Sequence, residues 1–150
     1  MSEQENIRIV KQGFDRLNNH NLEPDNQLTS PTARVQTVDS PTEMSIQDYR
    51  ASLRRTLDAF PDLHFTIRDI IAQGDKVSAL WTVKGTHKST LTLTNGMSIP
   101  ATNKMVTLPG VTFYEFKNNV ISRQDIYFDR VALFTQLGVM NEQEMAKARH

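Results

Sequence analysis

Residues 111–138 constrain the fold most, because two alternating segments are joined there by a turn and followed by a helical pattern. Residues 111–116 and 121–128 are dense in β-branched and aromatic side chains, which favour strands. Asn118 and Asn119 lie between these segments, and asparagine tolerates the positive φ values of a tight hairpin turn. The stretch therefore predicts a β-hairpin followed by a short helix.

The second strand of this hairpin carries polar side chains on one face. Because side chains alternate along a strand, Arg123, Asp125, Tyr127 and Asp129 point the same way. Aromatic residues on both faces indicate that the strand is covered on both sides, so these groups are expected near a protein-lined space. Burial raises the pKa of a carboxyl group, as a general acid or base requires. Asp129 is equally suited to cap the helix that starts at Arg130, and both roles are open.

Two further residues are candidate catalytic groups beside Asp129. Tyr127 can donate a hydrogen bond to an enolate oxygen, or it can pack against the pocket wall. His87 is in phase with Trp81 and Val83 along one strand and is therefore expected in the interior. There it acts either as a second acid or base or as a structural histidine.

Phe113 and Glu115 are two positions apart on the neighbouring strand, so their side chains lie on the same face. Both are candidates for substrate binding, together with Asp125 and Trp81. Glu115 equally fits a position facing solvent or paired with Arg123. The four histidines show no HxH or HExxH spacing, so no metal site is expected. The chain also lacks nucleotide-binding and serine-hydrolase motifs, and no cofactor is expected.

Composition narrows the class of protein. A chain of 150 residues is most simply one domain, and without cysteine it has no disulfides or thiolate metal sites, which fits a cytoplasmic location. The 17 basic and 17 acidic residues balance, which argues against nucleic acid or an anionic membrane as partner. Neither a secretory signal nor a run of about 20 apolar residues is present, so no membrane association is expected.

The order of elements predicts an α+β fold. Two helices, one of them capped by Ser2 and the other by Ser45, precede about four long strands, which indicates an antiparallel sheet with the helices on one face. Apolar residues on both strand faces need more cover than the helices supply, so a homodimer is expected. The first predicted segments are a helix at 3–19, an irregular rim at 22–45 that contains a short helix at 25–29 and a strand at 34–38, and a second helix at 45–60. They are followed by strands at 63–72, 76–88 and 104–116, the last with a bulge or bend at Pro109-Gly110, and by a polar tail at 140–150.

Four spaced segments of the chain resemble the SnoaL-like polyketide cyclases, a family of the nuclear transport factor 2-like superfamily. They are AFPDL at 59–63, DIIAQGDKVSALWTVKGTH at 69–87, IPATNKMV at 99–106 and FDRVALFTQLG at 128–138. The chain departs from the family pattern at Asn118-Asn119, where a glycine is usual, and at Asp125, where an aromatic residue is common. The resemblance covers about residues 5–139, which makes the chain a single SnoaL-like domain.

The resemblance implies a cone-shaped sheet wrapped around helices, an apolar pocket and a dimer formed through the sheet. It also implies a cofactor-independent aldol-type cyclase or isomerase acting on a small hydrophobic carbonyl compound, with Asp129 as the general acid or base. Two alternatives stay open. One is a non-catalytic module that binds small molecules or proteins, and the other is an epoxide hydrolase using Asp125, Asp129 and Arg123.

Overall fold

The computed structural model describes residues 2–93 and 96–139. Within these residues it contains three helices and eight strands. They are α1 (Glu3–Asn18), β1 (Thr29–Thr37), β2 (Met44–Ser45), α2 (Ile46–Ala59), β3 (His64–Gln73), β4 (Lys76–Thr86), β5 (Leu91–Thr92), β6 (Ser98–Ile99), β7 (Met105–Lys117), β8 (Val120–Phe128) and α3 (Arg130–Leu137). The predicted polar tail at 140–150 lies outside the described residues.

Six strands form one sheet in the order β2-β1-β8-β7-β4-β3, while β5 and β6 form a separate small hairpin. Neighbouring strands of the large sheet are antiparallel except for β1 and β8, which are parallel. Helix α1 packs on β3 and β4, α2 contacts β1, and α3 contacts β7. The α+β class is confirmed, and the parallel pair makes the sheet mixed rather than antiparallel throughout.

The helix boundaries follow from capping side chains. Ser2 Oγ accepts a hydrogen bond from the Glu5 backbone N–H at 3.0 Å, and Ser45 Oγ accepts one from Asp48 at 3.1 Å. Each bond satisfies a backbone donor that the first helical turn leaves without a partner. Gly138 ends α3 with a φ of 77°, a conformation that costs glycine little.

The hairpin between β7 and β8 forms as predicted. Asn118 and Asn119 have φ values of 54° and 68°, so both central residues of the turn are left-handed. The register places Thr112 opposite Ile126, with a shift after Glu115. This register decides which face of β8 meets the helices.

Two local predictions are wrong. The helix predicted at 25–29 is absent: residues 26–28 form a turn and β1 starts at Thr29, because the Asp25 side chain accepts from the Gln27 backbone N–H and competes with helical bonding. Of the bulge or bend predicted at Pro109-Gly110, the bulge is absent, because β7 pairs continuously with β4 there. The strand predicted at 34–38 is confirmed but is longer, since β1 starts at Thr29.

The buried apolar residues form two clusters. One gathers α1, β1 and the middle of the large sheet around Val10, Phe14 and Trp81. The other joins the end of α2 to β5, β6, the start of β7 and α3, with Phe60 and Leu108 among its members. No helix in the described residues is long and apolar enough to cross a membrane.

Candidate functional site

A cavity of about 300 Å³ lies among the helices, the inner sheet face and the loop that follows α1. Both apolar clusters contribute to its wall, so most of the lining is hydrophobic. Cavities of this size with few polar groups are typical sites for small organic molecules. The apolar lining comprises Val10, Phe14, Leu17, Leu22, Leu28, Ile46, Leu53, Phe60, Leu63, Phe65, Trp81, Val83, Leu91, Leu93, Val106, Leu108, Ile121, Ile126, Phe128 and Leu133.

Trp81 of β4 forms part of this wall and is held on several sides. Its indole Nε1 donates to Thr112 Oγ1 at 3.0 Å, and its ring stands edge-on to Phe65 with centroids 5.2 Å apart. Gly110 lies directly opposite Trp81 on β7, and the indole occupies the space that a Cβ at this position would take. Trp81 is therefore a fixed surface against which a flat ligand can pack.

Two phenols bring polar groups to the apolar lining. Burial raises the pKa of Tyr49 in α2, and the nearby Asp39 carboxylate raises it further. Burial raises the pKa of Tyr114 in β7, which also lines the cavity, and the neighbouring Tyr49 raises it further. A hydrogen bond with the Thr112 side chain lowers this pKa and so offsets part of the rise. Both phenols therefore stay protonated at neutral pH and can donate a hydrogen bond. Within the described residues, Tyr49 has no hydrogen-bond partner of its own.

Asp39 follows β1 and brings a carboxylate to the same part of the cavity. It is partly buried, and its Oδ1 accepts a hydrogen bond from the Thr37 hydroxyl at 2.6 Å. This bond fixes the side chain beside Tyr49, whose pKa reflects the proximity of the carboxylate. An acid or base and a hydrogen-bond donor thus face one apolar space.

The cavity opens to solvent beside the loop after α1, where the exposed residues Asn21 and Glu23 contribute to its lining. Arg16 donates to the Glu23 carbonyl at 2.5 Å and lies 3.9 Å from the Asp25 carboxylate. Arg50 of α2 is partly exposed, also lines the cavity and interacts electrostatically with Arg16. We call this end of the cavity, with Arg16, Asn21, Glu23, Asp25 and Arg50, the mouth.

The structure places Asp129 outside this cavity. Its carboxylate is exposed and accepts from the Ala132 backbone N–H at 3.1 Å, as the N-cap of α3. Tyr127 is half exposed on the opposite face of the sheet from the cavity. The expectation that both face an apolar cavity is therefore wrong, while the capping role of Asp129 is confirmed.

Asp125 also lies on the outer face of the sheet, where it forms a two-bond ion pair with Arg123 at 2.9 Å for each bond. Arg123 reaches Glu43 as well, at 2.5 Å. Phe113 is directly opposite Asp125 on β7 and is half exposed, and Glu115 is opposite Arg123. The expectation that Asp125, Phe113 and Glu115 enter the pocket is therefore wrong. The epoxide hydrolase set of Asp125, Asp129 and Arg123 likewise does not assemble around the cavity.

The cost of burying charge explains which face of β8 turns inward. Burying Arg123 and Asp125 beneath the helices would remove two ions from water, and their mutual attraction rarely compensates this fully. The opposite face presents Gln124, Ile126 and Phe128, and all three line the cavity. The apolar face therefore meets the core and the charged face meets solvent.

His87 is fully buried next to the cavity wall, and it does not line the cavity. Its ring stacks on Phe60 with centroids 5.2 Å apart, and Nδ1 accepts from the Thr102 backbone N–H at 3.2 Å. The His87 backbone bonds to Lys104 and Asn103. Burial lowers the pKa of His87, with opposition from the Ser89 and Ile99 carbonyls, so the ring is neutral at pH 7. This geometry fits the structural role that the sequence left open.

Of the seven site residues predicted from sequence, all of which the structure describes, Trp81 alone lines the cavity. Sequence reasoning missed Asp39, Tyr49, Tyr114, Gln124 and Arg50. Tyr49 had a signal, because it lies on the stripe of α2 that includes Leu53 and Phe60. Asp39 had none, because it belongs to an irregular segment whose place is set by the long-range pairing of β1 with β8.

The arrangement suits proton transfer next to a carbonyl group. Tyr49 can hold the carbonyl oxygen, and Asp39 can exchange a proton with the neighbouring carbon. Within the described residues, no group of three or more histidine, aspartate or glutamate side chains is placed to hold a metal ion.

Solved structures with the same fold include AclR from Streptomyces galilaeus, with 22% sequence identity and a TM-score of 0.79 over 93% of this chain and 100% of that one. TsrD from Streptomyces laurentii has 18% identity and a TM-score of 0.78 over 93% and 99% of the two chains. A SnoaL-like polyketide cyclase from Agrobacterium tumefaciens has 22% identity and a TM-score of 0.70 over 92% and 100%.

No curated protein matches the chain. The model of one protein family, described as SnoaL-like polyketide cyclase, matches residues 8–137. This match spans α1 through α3 and therefore includes every element that lines the cavity. The chain belongs to the SnoaL-like polyketide cyclase family.

Proposed function

We propose that this protein binds a small hydrophobic carbonyl compound in the cavity and acts on it as a cofactor-independent cyclase or isomerase of the aldol type. The observation that carries the proposal is a protonated phenol, Tyr49, beside the Asp39 carboxylate in an otherwise apolar space. The apolar wall favours a hydrophobic ligand through the area it removes from water. The phenol orients a carbonyl oxygen.

In the proposed reaction, the Asp39 carboxylate removes a proton from the carbon next to the carbonyl. Tyr49 donates its hydrogen bond to the oxygen on which negative charge develops, and so stabilises the enolate. In a cyclase the enolate carbon then forms a bond to a second carbonyl carbon, and the resulting alkoxide takes the proton from Asp39. In an isomerase the same proton returns to a different carbon.

Asp39 takes this role here because of its position among the three carboxylates that line the cavity. Glu23 is exposed at the mouth, and Asp25 faces Arg16 there. Asp39 is partly buried, lines the same cavity as Tyr49, and its charge contributes to the raised pKa of the Tyr49 phenol. The family resemblance gives this role to Asp129, which stays a prediction without support from the geometry of the cavity.

The binding part of the proposal predicts that Tyr49→Phe weakens the binding of a neutral aryl ketone such as propiophenone. Loss of one hydrogen bond to the carbonyl corresponds to a Kd about three- to tenfold higher. Isothermal titration calorimetry on the wild type and the variant measures this change. Tyr127→Phe is the matched control, because it removes the same hydroxyl from the outer face of the sheet. Equal affinity for the wild type and Tyr49→Phe would contradict the assignment.

We also propose that the chain forms a homodimer through the outer face of the sheet. Directly opposite residues on antiparallel strands point to the same side. One row across the strands contains Leu80, Val111 and Tyr127, and the next contains Ile71 and Phe113. Ile71 is 63% exposed and Phe113 is 51% exposed, which leaves an apolar patch that a second copy would cover.

The dimer proposal predicts a species of twice the 17.1 kDa chain mass in light scattering at micromolar concentration. The double variant Leu80→Glu, Phe113→Glu should shift this species to the monomer mass, because it would bury four carboxylates in a symmetric interface. Lys117→Glu is the control, since Lys117 is exposed at the end of β7, outside the two rows. A wild-type protein that elutes only as monomer would refute the proposal.

A further inference from the structure

Arg50 has an unusual position for a charged side chain. The cavity-facing stripe of α2 contains Ile46, Leu53 and Phe60, which are apolar, and Tyr49. Arg50 lines the cavity beside them and is only partly exposed. A guanidinium with apolar neighbours loses part of its hydration, and proteins normally compensate such a loss with a carboxylate or a carbonyl.

No such compensation is present for Arg50. Within the described part of the chain, no side-chain or backbone oxygen hydrogen-bonds to its guanidinium, and no carboxylate forms an ion pair with it. Burial, together with the like charge of Arg16, lowers the pKa of Arg50. Among the described residues of the mouth, Arg16 has a carboxylate within ion-pair distance, Asp25 at 3.9 Å, whereas Arg50 has none.

Within the described residues, none of the nearby acids pairs with Arg50. Asp25 faces Arg16 at 3.9 Å and accepts from the Gln27 backbone N–H, and Glu23 is exposed. Asp39 accepts from Thr37 and lies beside Tyr49. The positive group that a ligand meets on the α2 side of the mouth is therefore Arg50.

We propose that the ligand carries an anionic group, a carboxylate in the simplest case, which binds Arg50 at the mouth while its ketone lies against Tyr49. The inference rests on the proposed function, because it assigns the second end of the same ligand. Arginine presents paired N–H donors that match the two oxygens of a carboxylate. The site therefore selects hydrophobic keto acids over their neutral esters.

The test uses three aryl keto acids of increasing chain length, namely benzoylpropanoate, benzoylbutanoate and benzoylpentanoate, and the methyl ester of each. The series varies the distance between the ketone and the carboxylate, so that one member fits the separation of Tyr49 and Arg50. Isothermal titration calorimetry gives the ratio of ester Kd to acid Kd. We expect a ratio of about ten or more for the best member, which is the size of one hydrogen bond to a charged group.

Arg50→Gln should reduce this ratio to about one, while the Kd of the ester changes by less than about twofold. Arg54→Gln is the matched control, because Arg54 lies one turn further along α2, is exposed and does not line the cavity. Its ratio should equal that of the wild type. Melting temperatures of both variants show whether the fold is intact.

Two results would overturn the inference and leave the proposed function in place. One is equal affinity of wild type for every acid and its ester, and the other is an acid preference that survives Arg50→Gln. If neither the acids nor the esters bind, the cavity is not a ketone site, and both proposals fail together.

Discussion

Gly110→Ala should lower the melting temperature of this protein by about 5–10 °C. A Cβ at position 110 would lie 2.2 Å from the indole of Trp81, far inside contact distance. The Trp81 ring cannot move away from this Cβ without losing its edge-on contact with Phe65 and its hydrogen bond to Thr112. Overpacking of this kind costs about 2–3 kcal/mol, and for a chain of this length each kcal/mol lowers the melting temperature by about 2–4 °C.

The control for this change is Gly13→Ala in α1, where no atom lies within 4 Å of the added Cβ. Alanine favours a helix over glycine by about 0.5–1 kcal/mol, so this variant should melt at the same temperature or higher. Trp81 is the sole tryptophan of the chain, and its fluorescence reports directly on its environment. An unchanged melting temperature and an unchanged emission spectrum for Gly110→Ala would contradict the packing of Trp81 against β7.

The role of Gly110 shows which features the sequence could not reveal. A proline followed by a glycine in a strand suggests a bulge or bend, but β7 pairs continuously with β4, and Gly110 leaves room for Trp81, which is 29 positions earlier in the chain. A glycine needed for a distant side chain looks the same in the sequence as one needed for a turn. The contact is set by strand register, which local patterns do not determine.

Local features were predictable because they depend on neighbouring residues alone. Ser2, Ser45 and Asp129 cap the three helices, and each is bonded within three positions of itself. Asn118 and Asn119 likewise form their turn through their own backbone angles. The order of these elements was enough to predict the α+β fold.

The candidate site was not predictable in the same way. The alternation of side chains along β8 correctly placed Asp125 and Tyr127 on the same face of the strand. Alternation alone does not determine which of the two faces turns toward the core. The inward face was decided by the pairing of Thr112 with Ile126 and by the cost of burying the Arg123 ion pair. The parallel pairing of β1 with β8 was also hidden, and it is this pairing that positions Asp39.

Asp39→Asn should reduce the exchange of the α-hydrogens of propiophenone with D₂O by about 10²-fold or more. The proposed reaction begins with removal of such a hydrogen, so exchange reports on this step without knowledge of the natural substrate. A positioned general base typically contributes 10²–10⁴-fold to such a step, and asparagine cannot accept the proton. Proton NMR of the ketone, with and without the protein, measures the rate.

Asp129→Asn is the matched control, because it is the same change at the carboxylate that caps α3. It should leave exchange unchanged and cost at most about 1 kcal/mol of stability, since asparagine also caps helices. If Asp129→Asn removes exchange and Asp39→Asn does not, the assignment of the base to Asp39 is wrong. If the wild type binds the ketone but catalyses no exchange, the protein is a non-catalytic binding module, which is one of the two alternatives that the sequence left open.

The most direct test of the central claim, that the cavity is the ligand site, is a crystal structure of the protein with propiophenone bound. We predict density for the phenyl ring against Trp81 and a carbonyl oxygen within about 3.2 Å of the Tyr49 hydroxyl, as a hydrogen bond requires. Asp39 should lie on the same side of the ligand. Density for the ketone beside Asp129 and Tyr127, with the cavity empty, would contradict the claim.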